Sequence, residues 1–145
     1  MIFNSCGITA FKQTLNKKMM ARFVLVIDDD PSILYIAQLG LKQNTGWKVL
    51  TANSGQEGLA IAEAEQPDVI LLDMMMPIMD GLSTLRQVKA NPKTRHIPVI
   101  FLTAKAQSAD RNNFYAQGAQ GLIPKPFDPT TLADQVEAFL TEKLV

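Results

Sequence analysis

Phe23-Val24-Leu25-Val26-Ile27-Asp28-Asp29-Asp30-Pro31 carries a β-rich apolar run directly into three acids and a proline. The run reads as a strand. Asp30-Pro31 reads as a helix N-cap followed by proline at the first helical position, where its missing N–H costs nothing. A strand passing straight into a helix is a βα unit, and the unit recurs along the chain. The first helix is predicted to reach about Gln43, and Gly46 precedes a second strand near residues 47–51. Ser54-Gly55-Gln56-Glu57 is a capping box that opens a helix closed by Pro67. Val69-Ile70-Leu71-Leu72, four consecutive apolar residues before Asp73, suits a parallel strand buried on both faces. After a loop over 74–81, residues 82–90 read as helix with Leu82, Leu85 and Val88 at core spacing, and Asn91-Pro92 ends it. A fourth strand is predicted over 97–102, a fourth helix over 108–117 and a short fifth strand at Leu122-Ile123. Asp128-Pro129 repeats the cap-and-proline device before a last helix with Leu132, Val136, Phe139 and Leu140 inward. Five alternating βα units with short connections predict an α/β, doubly wound (βα)5 fold with a parallel sheet and right-handed crossovers.

Composition narrows the function classes. The 145 residues favour one domain, and 47% hydrophobic content fills one core. Lys plus Arg equals Asp plus Glu at 14 each, so no global field recruits nucleic acid or an anionic membrane. Cys6 stands alone, which excludes an internal disulfide and suits a reducing compartment. No apolar run approaches the roughly 18 residues of a membrane span. Residues 1–21 carry Lys12, Lys17 and Lys18 without an acid, with the basic residues after the short apolar stretch, the reverse of a secretory signal. They are read as a flexible N-terminal extension, on which Ile8, Phe11, Leu15 and Met19 can share one helical face. Residues 22–145 form the domain.

The fold gives the acids their meaning. In an open α/β sheet the ligand crevice lies beyond the carboxyl ends of the strands, where strand order reverses. With strand order 2-1-3-4-5, Asp28, Asp29 and Asp73 converge there, joined by Thr103 and Lys125 from strands four and five. Convergent carboxylates call for a cation, and oxygen-only ligands beside a phosphate substrate point to Mg²⁺, with Mn²⁺ an alternative. Asp30 is read as the helix cap alone. At this stage Asp28 and Asp29 also admit a reading as cap or turn residues.

The set Val26-Ile27-Asp28-Asp29-Asp30, Leu71-Leu72-Asp73-Met74-Met75-Met76-Pro77 with Asp80-Gly81, Thr103-Ala104 and Lys125-Pro126-Phe127 resembles a response-regulator receiver domain of the CheY-like type, flavodoxin-like in fold, over about residues 22–144. The resemblance implies that Asp73 accepts a phosphoryl group from the phosphohistidine of a sensor histidine kinase or phosphotransfer protein. It implies Mg²⁺ held by Asp28, Asp29, Asp73 and the backbone carbonyl of Met75, with Asp29 a direct ligand and Asp28 acting through water. Lys125 would clamp a phosphate oxygen, aimed inward through a cis Lys-Pro bond, and the Thr103 hydroxyl would swing to the phosphoryl group. Two departures bear on signalling. Leu122 occupies the position three before Lys125 that is often aromatic in the family, so output is expected through backbone shifts around residues 103–105 and the fourth helix. Met75 and Lys105 occupy the positions that bear on phosphate lifetime, and an apolar Met75, unable to align a hydrolytic water, implies slow autodephosphorylation.

Other classes fit less well. A haloacid-dehalogenase-like phosphatase wants an acid two residues after its nucleophile, where Met75 stands. A flavodoxin-like FMN site wants Gly, Ser and Thr donors after strand one, where three aspartates would repel an anion. A degenerate receiver acting as a constitutive binding module is the remaining alternative, raised by Leu122. His96 is predicted at the opposite end of the sheet from the acids, so the phosphodonor is another protein. Met74, Met75 and Met76 read as adaptable packing, Gly81 as a turn residue, and Phe114 and Tyr115 as core or partner surface. The expectation is a stand-alone, cytoplasmic phosphoacceptor rather than an enzyme. It would be monomeric or weakly dimeric on phosphorylation, act on a separate protein target, and neither bind DNA nor insert in a membrane.

Overall fold

A computed structural model describes residues 21–104 and 111–141. The readings of residues 1–20, of Lys105 and of the start of the fourth helix lie outside the described residues. Strands β1 (Phe23–Ile27), β2 (Lys48–Ala52), β3 (Val69–Asp73), β4 (Val99–Thr103) and β5 (Gly121–Pro124) form one sheet. Its order is β2-β1-β3-β4-β5, all parallel, as the βα alternation predicts. Helices α1 (Pro31–Thr45), α2 (Gly55–Glu65), α3 (Gly81–Ala90), α4 (Arg111–Ala116) and α5 (Leu132–Thr141) cover both faces.

Strand alternation sorts the core into two layers. Leu25, Ile27, Ile70, Leu72 and Phe101 meet Ala62 of α2, Leu85 and Val88 of α3, and Phe114 of α4. Val24, Val26, Val69, Leu71, Ile100 and Leu102 meet Ala37 and Leu41 of α1 and Leu132 and Val136 of α5. Every residue of β3 and β4 is buried, the consequence of helices on both sides. Register then sets the strand ends level. Ile27 faces Leu72, Asp73 faces Leu102, and Thr103 faces Pro124, so the residues that follow β1 and β5 flank the ends of β3 and β4.

Local chemistry starts and stops the elements. The Asp30 side chain accepts from the Ser32 N–H at 2.9 Å, with Pro31 opening α1, and Gly46 ends that helix at φ 74°, a conformation glycine adopts without steric cost. Ser54 caps α2 through the Glu57 N–H at 3.1 Å, and Glu57 reaches back to the Asn53 N–H at 2.8 Å. Asp128-Pro129 departs from expectation. The Asp128 carboxylate accepts from the Thr130 N–H at 2.9 Å and the Thr130 hydroxyl at 2.7 Å, making a turn over 129–131 that delays α5 to Leu132. Gly81, read as a turn residue, is instead the first residue of α3, and Gly121 is the first of β5.

Gly40, in the middle of α1, shows how tightly this layer is packed. A Cβ there would run into the backbone carbonyl of Pro129, which has no rotamer to yield. Helix propensity favours alanine over glycine by roughly 0.8–1.0 kcal/mol, whereas overpacking costs about 1–3 kcal/mol. Gly40→Ala is therefore expected to lower the thermal unfolding midpoint against the propensity trend. A raised midpoint would show that α1 is free to move away from the loop before α5.

Candidate phosphoacceptor site

The chain leaves β1 at Asp28, whose N–H still bonds the Ala52 carbonyl at 3.1 Å. That last ladder bond points the side chain under the sheet end, where it is completely buried. Oδ1 accepts from the Asp30 N–H at 2.9 Å and Oδ2 from the Lys125 ammonium at 2.8 Å. Asp28 thus closes an Asx turn through Oδ1 and also binds Lys125 through Oδ2, a role beyond that of a turn residue. Asp29 lies exposed at the rim, and Asp30 serves as the cap. Asp73 ends β3 with 5% of its surface exposed. It accepts from the Lys125 ammonium at 2.9 Å and from the Met75 backbone N–H.

Lys125 follows β5, held by its own N–H on the Thr103 carbonyl at 3.0 Å. The Lys125-Pro126 bond is cis. One ammonium thus spans Asp28 and Asp73 while a third carboxylate, Asp29, stands beside them. Ligand oxygens of Asp28, Asp29 and Asp73 all lie within 4.8 Å of one another. Burial pushes the Asp73 carboxyl above its ordinary value. The Lys125 hydrogen bond opposes that shift, and the Asp28 charge adds to it. Burial pulls the Lys125 amine down, but hydrogen bonds to Asp28 and Asp73 outweigh it and hold the amine above its ordinary value. Lys125 is an ammonium at neutral pH, and two carboxylates, Asp28 and Asp73, share it.

The oxygen-only donor set, with one ammonium for three acids, fits a hard divalent cation of the Mg²⁺ class. Asp28, Asp29 and Asp73 are the residues that would hold it. Thr103 is buried at the end of β4, and Met75 is 67% exposed between the buried Met74 and Met76. The methionine triplet is therefore split, two side chains in the core and one over the site rim. His96 is exposed just before β4, away from the acids.

Features that sequence reasoning missed lie in the loop between Asp73 and α3. Ile78 has φ 69° and is 99% exposed, with the Met79 N–H bonding the Pro77 carbonyl across it at 2.7 Å. A β-branched residue at positive φ is an outlier, and nothing in the identity of an isoleucine announces it. Asp80 caps α3 through the Ser83 N–H at 2.9 Å, and that bond holds its carboxyl below the ordinary range. Leu122, at the expected aromatic position, is buried in the layer that holds the tilted Phe101 and Phe114 rings, whose centroids are 5.7 Å apart.

Comparison with known proteins accords with this geometry. A model of the response regulator receiver domain matches residues 24–137. The chain belongs to the receiver domain family. It is 39% identical to protein PilH of Pseudomonas aeruginosa over 121 residues, covering 83% of this chain and 98% of PilH. In fold the receiver is similar to the chemotaxis protein CheY4 of Vibrio cholerae, with TM-score 0.76 and 33% identity over 82% of this chain and 98% of that one. It is also similar to the receiver domain of sensor histidine kinase PA1611 of Pseudomonas aeruginosa. There the TM-score is 0.71 and the identity 29%, over 81% of this chain and 95% of that one. That structure has a magnesium ion coordinated in its active-site cleft. Other curated relatives are longer, and the chain spans 48% and 28% of two of them. The receiver is a module of two-component signalling, and among its described residues no helix is long and apolar enough to cross a membrane.

Burial of the Asp73 carboxyl beside Asp28 has a measurable consequence. Because the folded state raises the Asp73 pKa, the folded protein keeps a proton that the unfolded chain releases first. Stability therefore falls as pH rises from the unfolded carboxylate value through the folded one, and the loss is complete above it. Asp73→Asn removes that loss. In metal-free buffer the variant is expected to match the wild type at low pH and to exceed its unfolding midpoint at neutral pH. A wild type more stable than the variant at neutral pH would contradict this electrostatic account.

Proposed function

We propose that this receiver is a phosphorylation-controlled switch of a two-component or phosphorelay system, with Asp73 as phosphoacceptor. A phosphohistidine of a sensor kinase or phosphotransfer protein is the donor. The observation that carries the reading is the single ammonium of Lys125 held 2.8 Å from Asp28 and 2.9 Å from Asp73 at the joined strand ends. In the transfer, an Asp73 carboxylate oxygen forms a bond to phosphorus as the donor's N–P bond breaks. The leaving imidazole keeps the electron pair and takes up a proton. Such a step needs mainly positioning and charge stabilisation. Lys125 gives its ammonium to an equatorial phosphoryl oxygen, and the buried Thr103 hydroxyl offers a further donor. Asp28, Asp29 and Asp73, with the Met75 carbonyl, would hold Mg²⁺, which when bound would supply the positive charge that lets an anionic donor approach three carboxylates.

The output is a change in protein binding, carried by backbone shifts from Thr103 toward α4 because Leu122 has no ring to swing. The target is a separate protein, and the location is cytoplasmic, with a monomer or a weak phosphorylation-dependent dimer. Balanced charge supports protein rather than DNA as partner. Met75, apolar and exposed at the site rim, does not orient a hydrolytic water, so the acyl phosphate is long-lived.

One experiment addresses acceptor and lifetime together. Incubation with a small phosphodonor and Mg²⁺ is expected to add one phosphoryl mass to the wild type, none to Asp73→Asn, and none when Mg²⁺ is chelated. Lys125→Ala is expected to slow the reaction on the order of a hundredfold, the loss typical of one transition-state donor. The adduct should outlast manual handling in Mg²⁺ buffer. An unmodified wild type would favour a constitutive binding module, and an adduct gone within seconds would refute the role given to Met75.

A further inference from the structure

Gly81 has no conformational reason to be glycine. It begins α3, and it is not among the described residues at positive φ. Alanine would suit the helix better. What glycine permits here is close approach. A Cβ at this position would stand 2.5 Å from the Asp73 carbonyl oxygen, 2.7 Å from the Met74 Cα and 3.0 Å from the Phe101 ring. The first two are backbone atoms with no rotamer to yield. The Gly81 N–H also donates to the Met74 carbonyl at 2.9 Å.

The first turn of α3 thus rests directly on the peptide that follows the phosphoacceptor. That turn is itself stiffened from two sides. The Asp80 carboxylate takes the Ser83 N–H at 2.9 Å, and the fully buried Thr84 hydroxyl donates to the Asp80 carbonyl at 2.9 Å. Behind it, the buried Leu85 and Val88 fasten α3 to the sheet, so an added methyl group must displace the Asp73–Met74 backbone. The Met75 N–H, two residues on, is the backbone donor to the Asp73 carboxylate. Lys125 fixes the nucleophile from the front of the site, and α3 fixes the chain that carries it from behind.

We propose that Gly81 is a positioning residue for phosphoryl transfer: its missing side chain seats the start of α3 against the Asp73–Met74 backbone and so sets the attack geometry of Asp73. The proposal rests on Asp73 being the phosphoacceptor. A misplacement near 1 Å costs about a hundredfold in rate, so the effect is readable.

The test uses the full chain with acetyl phosphate as donor, following phosphorylation rate against donor and Mg²⁺ concentration. Gly81→Ala is expected to lower the rate at saturating donor by about tenfold or more. The half-saturating donor concentration should stay within about threefold, the pattern of a group that acts on the reacting geometry rather than on donor binding. Gly121→Ala is the control. Its Cβ would meet the Phe139 ring at the far end of the sheet, so it should lose stability and keep the rate. If Gly81→Ala does not fold, Asp80→Ala, which frees the same helical turn without added atoms, should slow transfer while Asp80→Asn restores it. A Gly81→Ala rate within about threefold of wild type, or a loss matched by Gly121→Ala, overturns the proposal. So does an unaffected Asp80→Ala where Gly81→Ala is unfolded. An unmodified wild type would instead sink the phosphoacceptor reading itself.

Discussion

The Lys125 ammonium lies between a wholly buried Asp28 and a nearly buried Asp73, with hydrogen bonds of 2.8 and 2.9 Å. Two carboxylates taken out of water this close together repel each other, and each would lose its hydration without compensation. The ammonium supplies both the opposing charge and the hydrogen bonds. It joins the chain after β5 to the ends of β1 and β3, three segments far apart in sequence. Removing the ammonium alone would leave both acids buried and uncompensated, a change that typically costs about 3–5 kcal/mol.

The parallel sheet is what makes the convergence possible. Each strand delivers its last residue to the same edge, and the register sets those ends level across β1, β3, β4 and β5. Buried runs in β3 and β4 lock that register, since a slip of one residue would exchange the two core layers. The site still carries one ammonium for three carboxylates. Burial, with the Asp28 charge adding to it, raises the Asp73 carboxyl, and the unbalanced acids provide the electrostatic reason for a divalent cation, in keeping with the magnesium-bearing receiver of similar fold.

Much of this was legible in the sequence because the chemistry sits at punctuation points. Apolar runs ending in Asp28, Asp73, Thr103 and Lys125 mark strand ends, and the parallel order then brings them together. Helix starts at Pro31 and Gly55 were legible through their caps. Tertiary consequences were not. The positive φ of Ile78 depends on how the loop returns to α3, and isoleucine carries no signal for it. Gly81 looked like a turn residue because its real constraint is the Asp73 carbonyl, eight residues away in sequence but in contact in space. Asp128 looked like a helix cap because the sequence alone does not distinguish a cap from the turn it makes with Thr130. The relation of Asp28 to Asp73 was inferred from topology, yet only the structure shows one lysine serving both.

In the proposed function Asp28, Asp29, Asp73 and Lys125 make one electrostatic unit that receives a phosphoryl group on Asp73. A crystal structure grown with Mg²⁺ and beryllofluoride tests it most directly. The account requires the metal among the oxygens of Asp28, Asp29 and Asp73, beryllofluoride on Asp73, and the Lys125 ammonium moved onto a fluoride. Beryllofluoride absent from Asp73, or a Lys125 ammonium that turned out to solvent, would contradict it.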